Sequence, residues 1–192
     1  NGRVMVSGGL QVTFLFGFPT SAGTTSVTQI YNPTTNTWAA GPTMPVARTG
    51  HQYNQVTLPS GRVLMTGGVS ITVNLLAATL TTTPLANADY YDQTTNTWTS
   101  VPMPTARSLH SATLLPDGRV VVCGGAQGSI DIPVPLANVD MFDPTTNTWT
   151  VQAPLSAPRT GHVAALQPDG LLLLISGQDA TATTPSIEAL HF

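Results

Sequence analysis

Lysine is absent from this sequence, and all six of its basic residues are arginine. Only 8% of the residues are charged, and the formal net charge is -3. Nucleic-acid binding needs basic side chains concentrated on one face, so this thin supply argues against it. Cysteine is equally scarce: Cys123 stands alone, which excludes an intrachain disulfide and a cysteine-based zinc site. Long apolar runs are missing too. The longest, residues 171–175, is strand-sized and far below the roughly 20 residues that cross a bilayer as a helix, so no membrane association is expected. Disorder is excluded from the other side, because 41% of the residues are hydrophobic and disordered chains are usually charged and apolar-poor. The chain starts at Asn1 rather than at methionine, so the lack of a leader is uninformative. A composition rich in Thr, Gly and Pro leans toward an extracellular or cell-surface setting.

What is present repeats. The turn NPTTNTW (32–38) returns as DQTTNTW (92–98) and DPTTNTW (143–149). Trp38, Trp98 and Trp149 are spaced by 60 and 51 residues, and Arg48, Arg107 and Arg159 by 59 and 52. RTGH, RSLH and RTGH open at those arginines, and PSGRVLMTGG (59–68), PDGRVVVCGG (116–125) and PDGLLLLISG (168–177) follow them. Landmarks that share one period and one order mark a repeat architecture.

Each period holds four short apolar stretches bounded by turn signals, which predicts four strands. In the clearest copy they are SATLL (111–115), RVVVCGG (119–125), NVDMFD (138–143) and a stretch opening at Thr148-Trp149. The second is apolar throughout, as in a strand covered on both faces. The third places Val139 and Met141 on one face and Asp140 and Phe142 on the other. The repeated turn then joins strands three and four, with proline presetting the first turn position and asparagine tolerating the left-handed conformation that closes it. A sheet of this size cannot bury its faces alone, whereas several stacked around an axis can.

These marks resemble the kelch-repeat β-propeller family, in a flavour close to the bacterial and galactose-oxidase-like kelch modules. The resemblance rests on the double glycines after strand two (Gly8-Gly9, Gly67-Gly68, Gly124-Gly125), the aromatic ending strand three (Tyr31, Tyr91, Phe142), the tryptophan after the turn and the arginine before strand one. It covers essentially the whole chain. The expected fold is all-β, with blade units at about 1–46, 47–105, 106–157 and 158–192 of three, four, four and three strands. The first unit lacks strand one and the last lacks strand four, so the two do not merge into one sheet. An open half-propeller arc is expected, and its uncovered ends predict self-association.

Several positions invite a chemical reading. His51, His110 and His162 share one repeat position. Successive blades lie on the order of 10 Å apart, too far for three ligands about 2 Å from one metal ion, so a ring bonded to the neighbouring blade is favoured over a metal site. Arg48, Arg107 and Arg159 admit two readings: guanidinium groups bonded to carbonyls or a carboxylate of an adjacent blade, or a row of cations for an anionic ligand. Asp89, Asp140 and Glu188 align with one another and with Gln29. Cys123 aligns with Ser7, Thr66 and Ile175, which reads as a packing slot with no redox role. A galactose-oxidase resemblance implies a copper site of tyrosines, histidines and a cysteine crosslinked to tyrosine. Here Tyr31 and Tyr91 fill the strand-three slot and Cys123 lies inside strand two, so that chemistry is not carried over and no cofactor is expected.

The connections between strands two and three vary most: residues 10–26, 69–86, 126–137 and 178–186. They are long and apolar, with Phe14, Phe16, Phe18, Leu75, Leu76 and Ile130 among them. Either they cap the blades or form short extra hairpins, or they present a ligand face for protein or carbohydrate. The functional reading is a non-catalytic binding or scaffold module. The alternative is a piece of a secreted carbohydrate-active or oxidase enzyme whose catalytic residues lie outside this sequence.

Overall fold

The tight turns set the frame. In the computed structural model, which describes residues 2–51, 54–179 and 186–192, the three copies of the TTNTW turn are built alike. The side chains of Asn32, Asp92 and Asp143 accept from the backbone N–H of Thr34, Thr94 and Thr145 at 3.0, 2.8 and 2.8 Å. Asn36, Asn96 and Asn147 close the turns with φ of 54°, 56° and 55°, the left-handed region that asparagine tolerates. Each turn aligns an aromatic pair across the two strands it joins, Tyr31 with Trp38, Tyr91 with Trp98 and Phe142 with Trp149, at ring separations of 5.2, 5.4 and 5.0 Å.

Twenty strands lie among the described residues. In the first blade β1 (Val4–Ser7) is followed by β2 (Leu10–Leu15) and β3 (Phe18–Thr24), then by β4 (Thr28–Asn32) and β5 (Thr37–Ala40). The second holds β6 (Gln55–Thr57), β7 (Val63–Thr66), β8 (Val69–Asn74), β9 (Thr79–Pro84), β10 (Ala88–Asp92) and β11 (Thr97–Ser100). The third holds β12 (Ser111–Leu114), β13 (Val120–Cys123), β14 (Ala126–Ser129), β15 (Ile132–Pro135), β16 (Val139–Asp143) and β17 (Thr148–Val151). The fourth holds β18 (Val163–Leu166), β19 (Leu172–Ile175) and β20 (Ile187–Leu190). Among the described residues there is no helix.

Four antiparallel sheets form the blades: β1-β4-β5, β6-β7-β10-β11, β12-β13-β16-β17 and β18-β19-β20. The strands the sequence predicts are present, three in each terminal sheet and four in each central one. Strand β12 lies beside both β6 and β18, so the first strands of successive blades are neighbours.

Hydrophobic cores fill the gaps on either side of the third blade. Val56, Leu64, Ala88 and Tyr90 of the second blade pack on Val120, Val122 and Phe142 of the third. The other face of the third blade, with Val121, Cys123, Val139 and Met141, packs on Leu172 and Leu174 of the fourth. The continuous apolar run of β13 is thus divided by the pleat between two interfaces, and its four residues are all fully buried. Strand β1 has the same pattern but not the same surroundings: Val4 and Val6 are each 51% exposed.

The remaining strands belong to the strand-two-to-three connections, three of which are hairpins: β2-β3, β8-β9 and β14-β15. The first two join edge to edge through β3 and β8, giving a further four-stranded sheet, β2-β3-β8-β9, outside the blade sheets. The β14-β15 hairpin lies beside β9, and Ile130 donates its N–H to the Thr82 hydroxyl at 2.9 Å. Of the fourth connection, 178–186, most lies outside the described residues.

Candidate functional site

The repeated arginines sit where one blade hands the chain to the next. Arg107 is fully buried. Its backbone bonds to the preceding blade, the N–H donating to Leu85 O at 3.0 Å and the carbonyl accepting from Gly68 N–H at 3.2 Å. Its guanidinium turns into the blade that it leads, not into an adjacent one as the sequence suggests, because the backbone rather than the side chain makes the link backward; there it donates to the carbonyls of Gly124 and Asn138, both at 3.1 Å, and to the carboxylate of Asp140. Arg48 makes the matching set with Gly67 O, Asn87 O and Asp89. Arg159 donates to Ser176 O and Ser186 O at 3.3 and 3.4 Å and to Glu188 at 3.0 Å. All three guanidinium groups are enclosed, with exposures of 0 to 1%, and so are remote from any anionic ligand in solvent.

The carboxylate partners were visible in the sequence as aligned positions but not as partners. One signal points to the pairing. Asp89, Asp140 and Glu188 each occur in a blade led by an arginine. A carboxylate buried without a cation is costly, so an arginine at the head of the same repeat is its expected partner.

The histidines fasten each blade to the one before it. His51 Nε2 donates to Ser7 O at 3.1 Å, which fixes the Nε2–H tautomer, since a carbonyl only accepts. His110 hydrogen bonds with the Thr66 hydroxyl at 2.8 Å and His162 with the Ser111 hydroxyl at 2.9 Å. Thr66 and Cys123 occupy the same repeat position. With a thiol in that slot, the hydroxyl comes instead from Ser111, which pairs with Cys123 across β12 and β13. Burial, reinforced by Arg159, lowers the His162 pKa to about 4, and burial with Arg107 and His162 holds His110 well below the usual imidazole range. Burial also pushes the Cys123 thiol up to about 12, so almost none of it is thiolate near neutrality. Among the described residues no group of three His, Cys, Asp or Glu side chains could hold a metal ion.

The double glycine answers to this junction. A Cβ at Gly67 would lie 2.4 Å from Arg107 O and 2.7 Å from the His110 ring, and its φ is +52°. A Cβ at Gly68 would meet Thr49 O at 2.7 Å. One glycine thus admits the next blade's connection and the other admits the blade's own. Each tryptophan completes the contact at the outer edge. Trp98 donates its indole N–H to Pro42 O at 3.0 Å and Trp149 to Val101 O at 2.7 Å, both one blade back.

A cleft of about 440 Å³ lies between β12 and β18, lined by Leu109, His110, Ser111, Val163 and neighbouring residues. Leu109 has φ 55° where the other two copies of the R-x-x-H stretch place Gly50 and Gly161.

The hairpin layer has the opposite character. Phe14, Phe16 and Phe18 are 61, 92 and 75% exposed, Leu75 and Leu76 44 and 88%, and Ile130 48%. Phe16 stands at a hairpin tip with φ 50°, next to Gly17 at φ 83°, the pair of positive values that a type I′ turn requires. The one formal charge in the three hairpins and their flanks is Asp131.

Comparison with known proteins places these features. The sequence matches the kelch motif over residues 107–156. It is 30% identical over 151 residues to alpha-scruin of Limulus polyphemus (77% of this chain, 15% of the relative). It is 27% identical over 140 residues to Kelch-like protein 31 of Homo sapiens (71% and 22%). Beta-scruin of Limulus polyphemus matches at 33% identity over 75 residues (39% and 8%). The motif match, the relatives and the fold together support a kelch-repeat family for this chain. Kelch repeats generally mediate protein binding or scaffolding. The alignments span less than a quarter of each of these relatives. In fold the chain is similar to the solved structure of YjhT, with a TM-score of 0.63 at 15% identity, covering 90% of this chain and 60% of that one.

Proposed function

We propose that this kelch domain is a non-catalytic module that binds a protein ligand through its hairpin face, with the blades as a rigid base. The carrying observation is the contrast within one fold: buried ion pairs and dense cores in the blades, and hairpins that expose Phe16, Leu76 and Ile130 and carry a single charge, Asp131. Apolar groups displayed from a rigid frame favour a partner surface, and the lack of charge favours an apolar protein patch over a phosphorylated or acidic ligand. The blade units run at about 1–46, 47–105, 106–157 and 158–192, as an open arc. In it the arginines, glycines and tryptophans of the junctions hold the scaffold and bind no ligand.

A photocrosslinking residue at Leu76 tests this against the same residue at Thr145, on a strand-three-to-four turn. Protein adducts at position 76, absent at 145 and abolished by joint Phe16→Ser and Ile130→Ser substitution, support the reading. Equal adducts at both positions, or binding to glycans alone, overturn it.

A further inference from the structure

We infer that the outer edge of the hairpin sheet, strand β2, is an interface between two copies of this chain. In the order β2-β3-β8-β9, β2 is paired on one side only, through β3. At the other end, β9 lies beside the β14-β15 hairpin. All six residues of β2 are exposed, on both faces of the strand. Its sequence, LQVTFL, holds no charge, proline or glycine, so it lacks most of the devices that keep a bare edge from pairing with another chain. The one such device present is a register shift against β3 between Thr13 and Phe14, where β3 carries the extra residue Thr20; it twists the ladder there and leaves Leu10 to Thr13 as the regular stretch before it.

The molecule already shows that these hairpins join by their edges. Strand β3 of one blade pairs antiparallel with β8 of the next, Ser21 opposite Asn74 and Gly23 opposite Thr72. A second copy offered to β2 repeats that join. Antiparallel pairing of β2 with itself across a twofold axis gives a closed dimer, because each copy uses the same patch. The available area is of the right order. An aromatic side chain buries about 150–250 Å², so the exposed shares of Phe14, Phe16 and Phe18 amount to roughly 350–550 Å² per copy. Leu10, Val12 and Leu15, 59, 45 and 59% exposed, bring this toward the ~800 Å² per partner of a stable interface. No cation or carboxylate lies on β2 or β3 to oppose the approach.

This inference is separable from the ligand face, whose probe at Leu76 lies on another hairpin. Sedimentation velocity from about 1 to 100 µM, a range chosen to bracket ordinary dimer affinities, should show a dimer for the wild type. The pair Val12→Lys with Phe14→Lys should give a monomer with an unchanged circular dichroism spectrum, since both residues are exposed. Val6→Lys and Ile187→Lys, in the terminal blades, should leave the dimer intact. A wild-type monomer throughout the range overturns the inference. So does a dimer that survives the β2 substitutions, or one lost only with Val6→Lys or Ile187→Lys, which would move the interface to the blade ends.

Discussion

Trp149 and Trp38 hold the same place in their blades and stand 5.0 and 5.2 Å from an aromatic partner, yet they meet different surroundings. Trp149 donates to Val101 O at 2.7 Å in the blade before it, while Trp38, at the outer blade, is 54% exposed. The glycines repeat the contrast. A Cβ at Gly68 or Gly125 would press on a carbonyl at 2.7 or 2.6 Å, and at Gly9 it would meet nothing within 4 Å. The ion pairs grade in the same way. Arg107 and Asp140 are 0 and 1% exposed, whereas Glu188, opposite Arg159, is 14% exposed. A repeat signature therefore carries energy in proportion to the neighbour that covers it, as expected of a solenoid-like array of intrinsic and interface terms.

The largest expected effect is at the enclosed ion pair. Arg107→Met strands the Asp140 carboxylate in the core and should cost about 3–5 kcal/mol in urea denaturation. Arg159→Met should cost clearly less, because Glu188 reaches partial solvent. Equal losses would break the comparison between inner and outer junctions. Gly67→Ala should follow at about 3 kcal/mol, from the clash with Arg107 O and the positive φ together. Gly9→Ala carries only the strain of its φ of +103°, about 1 kcal/mol. Melting temperatures of the two variants, side by side, check this.

Acid should act through the histidines. The unfolded His162 binds its proton near pH 6.5 and the folded one near pH 4. As pH falls between those values the unfolded state takes up the proton first, so stability is full above about 6.5, declines toward 4 and levels off below. A shift of that size corresponds to about 3 kcal/mol of stability lost across the window. Denaturation curves at pH 7, 5.5 and 4.5 should show the decline, and a His162→Gln variant should flatten it; an unchanged slope would place the acid sensitivity elsewhere. The smallest effect lies at the indoles: Trp149→Phe should cost about 1 kcal/mol for the lost hydrogen bond, and Trp38→Phe almost nothing.

Read from the residues alone, the blades were largely legible. The TTNTW turn, the PDG hairpins and the apolar stretches are local signals, because turn geometry and strand alternation depend on residues a few positions apart. They identify the strands of every blade, their antiparallel order and the kelch family. They also single out the arginines, histidines and glycines of the junctions as repeat positions.

Tertiary structure decided what each repeated residue meets. Arg107 and Asp140 are 33 residues apart, and Trp149 and Val101 are 48 apart, distances over which no local pattern specifies a partner. The hairpin sheet was equally hidden. Strand β3, FPTSAGT, has little apolar alternation and contains proline and glycine, and its pairing with β8 exists only because neighbouring blades hold the two hairpins side by side. The sequence thus determined the blade as a unit, through contacts each blade makes with itself. Whether a given tryptophan is buried, a glycine obligatory or an apolar strand covered depends on the next blade, and that is a property of stacking rather than of local sequence.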